Sequence, residues 1–269
     1  MNGAYDLYQA GDSWLHRMDP RAKLLLTASI IVILLTYGNL WVMVLVLLAI
    51  HLALNTAGIV GQRLRWVWRI TLPTMVVIAV LWPLLYPAGE DAWLTLWFIR
   101  LGYRNIAQGL TIALRIGAIG FAFFVWLFTT DQTAQVRGLV SLGLPFEWGL
   151  VIAMAMRFLP TMTVNFRTIT EAQQARALDL AKGNLFRRIR NYVPILVAMI
   201  ISALRMANNV SRSLESRALG APARRTSLHS LHFGRADLFA TLGIVVITTV
   251  LLVLRYTYGL GADVLRLLP

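Results

Sequence analysis

The sequence predicts an all-α membrane protein of about five transmembrane helices, with amphipathic cytoplasmic helices between the fourth and fifth. Three observations carry that prediction. Hydrophobic residues make up 58% of the 269 positions and the mean hydropathy is +0.67, more than a soluble core of this length requires. Long apolar runs recur, and a hydrocarbon core ~30 Å thick needs ~20 helical residues at ~1.5 Å rise each. Lysines and arginines gather in alternate connections, so the formal charge of +13 falls on one face.

The elements follow in order. The first residues are polar and carry Asp6, Asp12 and Asp19, which argues against a cleavable signal peptide. Asp19 before Pro20 reads as a helix N-cap followed by a first-turn proline. Span one runs from Lys23 to Tyr37 and needs its flanks to reach across. After the Gly38-Asn39 turn, span two covers Leu40 to Ala57, where His51 is expected to bond a neighbouring backbone group. Span three, Ile70 to Tyr86, contains Pro73 and Pro83 beside Trp66, Trp68 and Trp82, the pattern of a bent helix with interfacial anchors. Span four covers Ile106 to Phe128 and span five Ala236 to Leu254. Arg115, near the centre of span four, is expected to face protein or a water-filled cavity, because an ionisable group is costly in hydrocarbon.

Basic residues orient these spans. Arg17, Arg21 and Lys23 precede the first; Arg63, Arg65 and Arg69 separate the second from the third; about fourteen more lie between Asp131 and Arg235. All three groups reach one side if the amino terminus is cytoplasmic. On the other side, Arg100 and Arg104 balance Glu90 and Asp91 within the Pro87 to Asn105 loop. The expected organisation is one functional unit in the cell membrane: a bundle over residues 1–130, a cytoplasmic region over 131–235, and a last helix with its tail over 236–269.

Several functions are disfavoured. With no cysteine there is no disulfide or thiolate chemistry. His229 and His232 have metal-compatible spacing but lack a nearby third ligand, so no metal site is assigned. No Gly-x-x-x-x-Gly-Lys-Ser/Thr loop is present to cradle nucleotide phosphates. The basic charge has no accompanying nucleic-acid-reading motif; positive-inside topology and lipid headgroups account for most of it. Acidic residues are scarce and no catalytic constellation is visible, so an intramembrane enzyme is not expected.

The region from Pro145 to Arg235 departs from a plain bundle. Trp148 to Leu159 is apolar and meets Arg157 and Pro160, where a proline can kink or end a helix. From Met162 the chain turns amphipathic, with Phe166, Ile169 and Leu180 on one face and Arg176 seven residues after Ile169. A second stripe of Met199, Ala203, Met206 and Val210 leads to Arg217. Two short stations result, about forty residues apart: Ala175-Arg176-Ala177-Leu178 and Ser216-Arg217-Ala218-Leu219. Two readings stand. Either small neighbours (Ala175, Ala177, Ser216, Ala218) let a partner's groove approach each helix while the guanidinium makes directed hydrogen bonds, or Arg176 pairs with Asp179 and Arg217 meets lipid phosphate.

Over nearly its whole length the chain resembles the transmembrane T component of energy-coupling factor transporters, importers of vitamins and metals in the ATP-binding-cassette superfamily. The likeness begins with His16-Arg17-Met18-Asp19-Pro20-Arg21-Ala22-Lys23, similar to the family's His-x-x-Asp-Pro-Arg-x-Lys approach to the first span. It continues through Ala113-Leu114-Arg115, Phe128-Thr129-Thr130-Asp131, Gly143-Leu144-Pro145 and Arg157-Phe158-Leu159-Pro160 to the two arginine stations. In that family the stations take the form Ala-Arg-Gly or a near variant on two coupling helices; here both end in alanine. The resemblance implies a non-catalytic scaffold that couples two ATP-binding subunits, through Ala175, Arg176, Ala177, Ser216, Arg217 and Ala218, to one substrate-binding integral membrane subunit. ATP would be used by the partners and no cofactor held by this chain. A permease of a conventional ATP-binding-cassette importer is the alternative; it would be expected to carry one coupling loop per chain.

Overall fold

The computed structural model describes residues 8–9, 11–86, 92–96, 99–180, 184–219 and 234–266. Its elements are α1 (Trp14–Arg17), α2 (Pro20–Thr36), α3 (Leu40–Thr56), α4 (Gly61–Leu85), β1 (Ala92–Leu96), β2 (Ile99–Gly102), α5 (Tyr103–Thr129), α6 (Gln132–Ser141), α7 (Phe146–Ala175), α8 (Leu185–Asn191), α9 (Val193–Glu215) and α10 (Arg235–Tyr258). Contacts divide the chain into two compact units, one comprising residues 7–144 with 231–269 and the other residues 1–6 with 145–230. α6 packs against α2 and so belongs to the first of these units.

The first unit is a bundle organised around α5. Leu34, Met43, Phe121 and Phe128 are sealed in its core. A row of small residues on α5 lets α4 approach closely. A Cβ added to Gly109 would lie 2.9 Å from Pro83 Cδ and 3.1 Å from the Ala79 carbonyl oxygen, and one added to Gly117 would lie 2.5 Å from Met75 Sδ. Ala113, between them, is itself buried. The α4 prolines therefore lie within the helix, with Pro83 meeting the smallest residue on α5.

Caps set the helix starts. Asp19 Oδ1 accepts from the Arg21 amide at 2.9 Å with Pro20 at the first position of α2, as the sequence predicts. Asn39 begins α3, its Oδ1 accepting from Trp41 and Val42, while its Nδ2 donates to the carbonyls of Asp263 and Arg266 at 2.8 Å each. That buried amide ties the tail beyond α10 to the α2–α3 turn. The segment between spans three and four, expected as a plain loop, contains an antiparallel pair, β1 with β2.

The second unit consists of α7, α8 and α9. α7 runs unbroken through Pro160 for 30 residues, so the proline does not end it. The half-buried face of α7 includes Met162, Asn165, Ile169 and Gln173, and that of α9 includes Ile195, Met199, Ser202, Met206, Val210 and Leu214. Asn165 Nδ2 reaches Ser202 Oγ at 3.5 Å between the two helices. Ser202, not the expected Ala203, belongs to this seam.

Five described stretches are long and apolar enough to cross a membrane: Gly61–Leu85, Tyr103–Thr129, Phe146–Ala175, Arg188–Glu215 and Arg235–Tyr258. The number agrees with the sequence-based expectation, and the membership is different. α2 and α3 have 17 residues each, about 25 Å of helix, whereas α7 and α9, expected as cytoplasmic amphipathic helices, meet the length and hydropathy of spans. Their arginines are spread among enough apolar residues for both descriptions to apply to one helix.

Candidate functional site

The two arginine stations have the same backbone geometry. At the first, the Leu178 amide donates to the Gln173 carbonyl at 3.1 Å and the Ala177 amide to that of Gln174 at 2.9 Å. At the second, Leu219 donates to Leu214 at 3.0 Å and Ala218 to Glu215 at 2.9 Å. These paired six-to-one and five-to-two bonds form a Schellman cap. The residue that turns the chain must take a left-handed conformation, and it is alanine in both: φ is 64° at Ala177 and 57° at Ala218, and no other described non-glycine residue has positive φ. A Cβ in that region is disfavoured by about 1 kcal/mol or more.

Each arginine therefore stands at a helix end, three residues past the last half-buried seam residue, Gln173 or Leu214. The expected stripe does not continue as helix to Leu180, because α7 has already turned at Ala177. The carbonyl end of each helix favours the guanidinium charge through the helix dipole. Ala175, Arg176, Ala177, Ser216, Arg217 and Ala218 are all exposed. Neither arginine forms an ion pair with another described residue; Arg104 with Asp263, at 3.2 Å, is the pair that does. The Asp179 carbonyl accepts from Asn191 Nδ2 at 2.7 Å, and Leu180 O from Arg188 Nε at 3.4 Å, so the chain after the first station is folded back against α8. The sequence pattern places both arginines at the ends of apolar stripes, and it does not announce the left-handed alanines beside them. The signal available for them was the recurrence of Arg-Ala-Leu itself.

The model of the cobalt transport protein family (CbiQ) matches residues 11–228, most of the chain and both stations. The chain belongs to this family. Among relatives, the energy-coupling factor transporter transmembrane protein EcfT of Acidaminococcus fermentans is 31% identical over 95% of this chain and 97% of its own length. The EcfT proteins of Lactococcus lactis subsp. cremoris and Lacticaseibacillus paracasei are each 29% identical, covering 91% and 92% of this chain and 95% and 97% of their own lengths. It is thus a transmembrane transport component of the EcfT/CbiQ type and a membrane protein.

Several other conspicuous polar groups of this CbiQ member make hydrogen bonds within the bundle, although the Arg115 Nε is left without a partner. Lys23, buried, donates from Nζ to the carbonyls of Thr129 at 2.7 Å and His16 at 3.1 Å. The Asp19 amide donates to Asp237 Oδ1 at 2.9 Å. The His16 to Lys23 motif thereby joins α1, α2, the end of α5 and the start of α10. Arg115 donates from Nη2 to the Tyr37 carbonyl at 2.7 Å, fastening α5 to the end of α2. His51 Nδ1 donates to Leu47 O at 2.8 Å, which leaves Nε2 to accept from Trp68 Nε1 at 3.0 Å; its ring packs on Phe121. His16 Nε2 donates to Gln9 O at 2.9 Å, and Nδ1 accepts from Ser13 Oγ at 2.7 Å. Desolvation lowers the His16 pKa from its ordinary value, the Gln9 hydrogen bond opposing that shift and Lys23 adding to it. His229 and His232 lie outside the described residues.

Proposed function

We propose that this chain is the energy-coupling scaffold of a vitamin or metal importer, and that each arginine station docks one ATP-binding subunit. The observation that carries the reading is the repeated cap: two helices of one chain end in the same turn, with the same hydrogen bonds and an exposed arginine in the same place. Two equivalent sockets engaging one chain need two equivalent plugs. A turn with a fixed backbone presents its guanidinium in a defined direction, and the planar fork then supports several directed hydrogen bonds to acidic or carbonyl groups.

Transmission needs such a joint to be stiff. When the ATP-binding subunits close on nucleotide, movement of the grooves shifts α7 and α9 along with them, and a substrate-binding membrane subunit held against the scaffold is displaced in turn. ATP stays with the partners, and this chain holds no cofactor or catalytic group. The positive-inside pattern supports a cytoplasmic position for the stations and the amino terminus, where ATP is available. The names of the relatives, an energy-coupling factor transporter protein and a cobalt transport family, support the transporter class.

The test is affinity purification of the tagged chain from native membranes, with intact-mass measurement of the wild-type and Arg176→Ala/Arg217→Ala complexes. The expected result is two ATP-binding subunits and one small membrane protein per wild-type copy, with the ATP-binding subunits lost from the double variant. A homodimer carrying one ATP-binding subunit per chain would instead identify a conventional permease.

A further inference from the structure

The turn between α2 and α3 lies partway along α5. Lys23 Nζ on the Thr129 carbonyl marks one end of the antiparallel α2–α5 pair, and Arg115 Nη2 on the Tyr37 carbonyl marks the other. From Arg115, α5 extends for about 18 Å more toward Tyr103, whereas α2 has ended. The 17-residue helices α2 and α3 therefore leave room beside the first half of α5, and the tail beyond α10 takes up part of it. The Gly261 and Val264 carbonyls of that tail accept from the Gly38 and Leu40 amides at 3.3 and 2.9 Å. What remains is a cavity of about 260 Å³. Gln108, Thr111, Ile112 and Arg115 line it along one face of α5, and its other walls include Trp82 of α4, Gly38 and Val264.

The cation on this wall is only partly used. Nη2 makes the one hydrogen bond of the Arg115 side chain among the described residues, and Nε is buried with no partner. Trp82 Nε1 is likewise buried without an acceptor, while its ring stacks on Tyr86. Negative charge to balance the guanidinium is not at hand. Among the described residues Asp263 is the carboxylate at this end of the bundle, since Asp19, Asp131 and Asp237 cap helices at the other. Asp263 already pairs with Arg104 at 3.2 Å. The Leu265 amide, and after it the charges of Arg104 and Arg266, hold its carboxyl below the ordinary range. Two other arginines therefore share that carboxylate, and the charge of Arg115 is left over. A guanidinium taken out of bulk water without a counter-charge is costly, and so is each unpaired donor. An oxyanion in the cavity would relieve both costs.

We propose that this cavity is a structural binding site for one oxyanion, a phosphate group held by the Arg115 guanidinium and the Trp82 indole N–H. Gln108, exposed and about two turns along α5 from Arg115, lies at its open edge. The headgroup of an anionic lipid and free phosphate share this chemistry, and an uncharged ligand leaves the guanidinium without a counter-charge. Bound there, the oxyanion ties α4 to the joint that Arg115 already makes between α5 and the end of α2.

The experiment uses the full chain, delipidated in a mild detergent, with binding read by intact-mass measurement against phosphatidylglycerol, inorganic phosphate and, as a lipid without phosphate, diacylglycerol. The wild type is expected to retain one phosphate-bearing ligand and no diacylglycerol. Phosphatidylglycerol that an equal concentration of inorganic phosphate does not displace identifies a lipid headgroup as the source; inorganic phosphate that is retained and excludes the lipid identifies the free anion. Trp82→Phe keeps an aromatic ring beside Tyr86 and should weaken retention about 3- to 10-fold. Arg115→Lys keeps the charge and a donor for the Tyr37 carbonyl but loses the planar fork, and retention should fall about 10-fold or more. Val264→Trp fills the cavity from the tail and should expel the oxyanion with both donors still in place. Failure of the wild type to retain either phosphate probe, retention of diacylglycerol equal to that of phosphatidylglycerol, or unchanged retention in both Trp82→Phe and Arg115→Lys would overturn the site.

Discussion

Arginine is used in opposite ways in the two units. In the bundle Arg115 is committed to the Tyr37 carbonyl, and the buried Lys23 likewise to Thr129 and His16. In the α7–α9 unit Arg176 and Arg217 end exposed helices and meet no described carboxylate. Packing differs in the same sense: Gly149 is the buried residue of α7 and Ile195 that of α9, whereas α5 alone buries Phe121, Phe128 and ten others. A cation that satisfies its neighbours holds a fold together, and one left free at a defined helix end is available to another molecule. Exposed apolar length on α7 and α9 says the same of their flanks, which lipid or protein must cover.

The largest effect that would break this comparison is a loss of assembly without a loss of fold. Arg176→Ala/Arg217→Ala is expected to reduce recovery of the proposed ATP-binding partners by tens- to thousands-fold, the order by which truncating one member of a buried interfacial charge pair weakens binding. The thermal unfolding midpoint of the isolated chain should stay at the wild-type value. A lowered midpoint in the double variant would make these arginines structural, like Arg115.

The converse substitution belongs to the bundle. Gly109→Val places a branched side chain where Pro83 and the Ala79 carbonyl oxygen already stand at 2.9 and 3.1 Å from a Cβ. Backbone oxygen cannot rotate aside, so α4 and α5 must separate, at a cost of about 1–3 kcal/mol. Thermal unfolding in detergent should show the loss; a midpoint equal to wild type would mean that the α4–α5 contact is not close-packed in the membrane protein.

What could be read beforehand follows from how local each cause is. The Asp19-Pro20 start of α2 and the long apolar stretches of α4, α5 and α10 depend on neighbouring residues and were legible. Thr129, which accepts from Lys23, and Asp263, which accepts from Asn39, lie more than a hundred residues away in the chain, and no periodicity announces them. α7 and α9 were harder for a different reason: Arg157, Arg167, Arg205 and Arg212 interrupt apolar runs that are nonetheless of spanning length. At the stations the arginines were visible, while the turn was hidden because alanine rarely adopts positive φ. The recurrence of Arg-Ala-Leu was the clue, and the left-handed φ of Ala177 and Ala218 is its physical reason.

That reason leads to a smaller, sharper test. Ala177→Gly and Ala218→Gly each relieve a Cβ in the left-handed region, and the gain is partly offset by the greater freedom of glycine in the unfolded chain. The net expectation is about 0.5–1 kcal/mol per station, seen as slower amide exchange at Leu178 and Leu219, whose N–H groups close the caps. Gly58→Ala, at a bundle turn with φ 71°, should move the other way. Faster exchange in the station variants would mean that the turns take another conformation.

The smallest expected effect concerns the segment before α1. His16 Nε2 donates to Gln9 O and its Nδ1 lies 2.7 Å from Ser13 Oγ, and burial holds its pKa below the ordinary 6.5. For a base with a depressed folded pKa the sign runs against acid. Above pH 6.5 the imidazole is neutral in both states and pH has no effect through this residue. As pH falls through 6.5 the unfolded chain takes up a proton that the folded one resists, so stability declines until the lower folded pKa is passed and then levels off. Residues 9–16 should therefore exchange their amides faster at pH 5.5 than at pH 7.5, after correction for intrinsic rates, with no matching change around Arg176 or Arg217. His16→Gln removes the titrating group and should abolish the pH dependence of that segment; if the variant keeps it, another group is responsible.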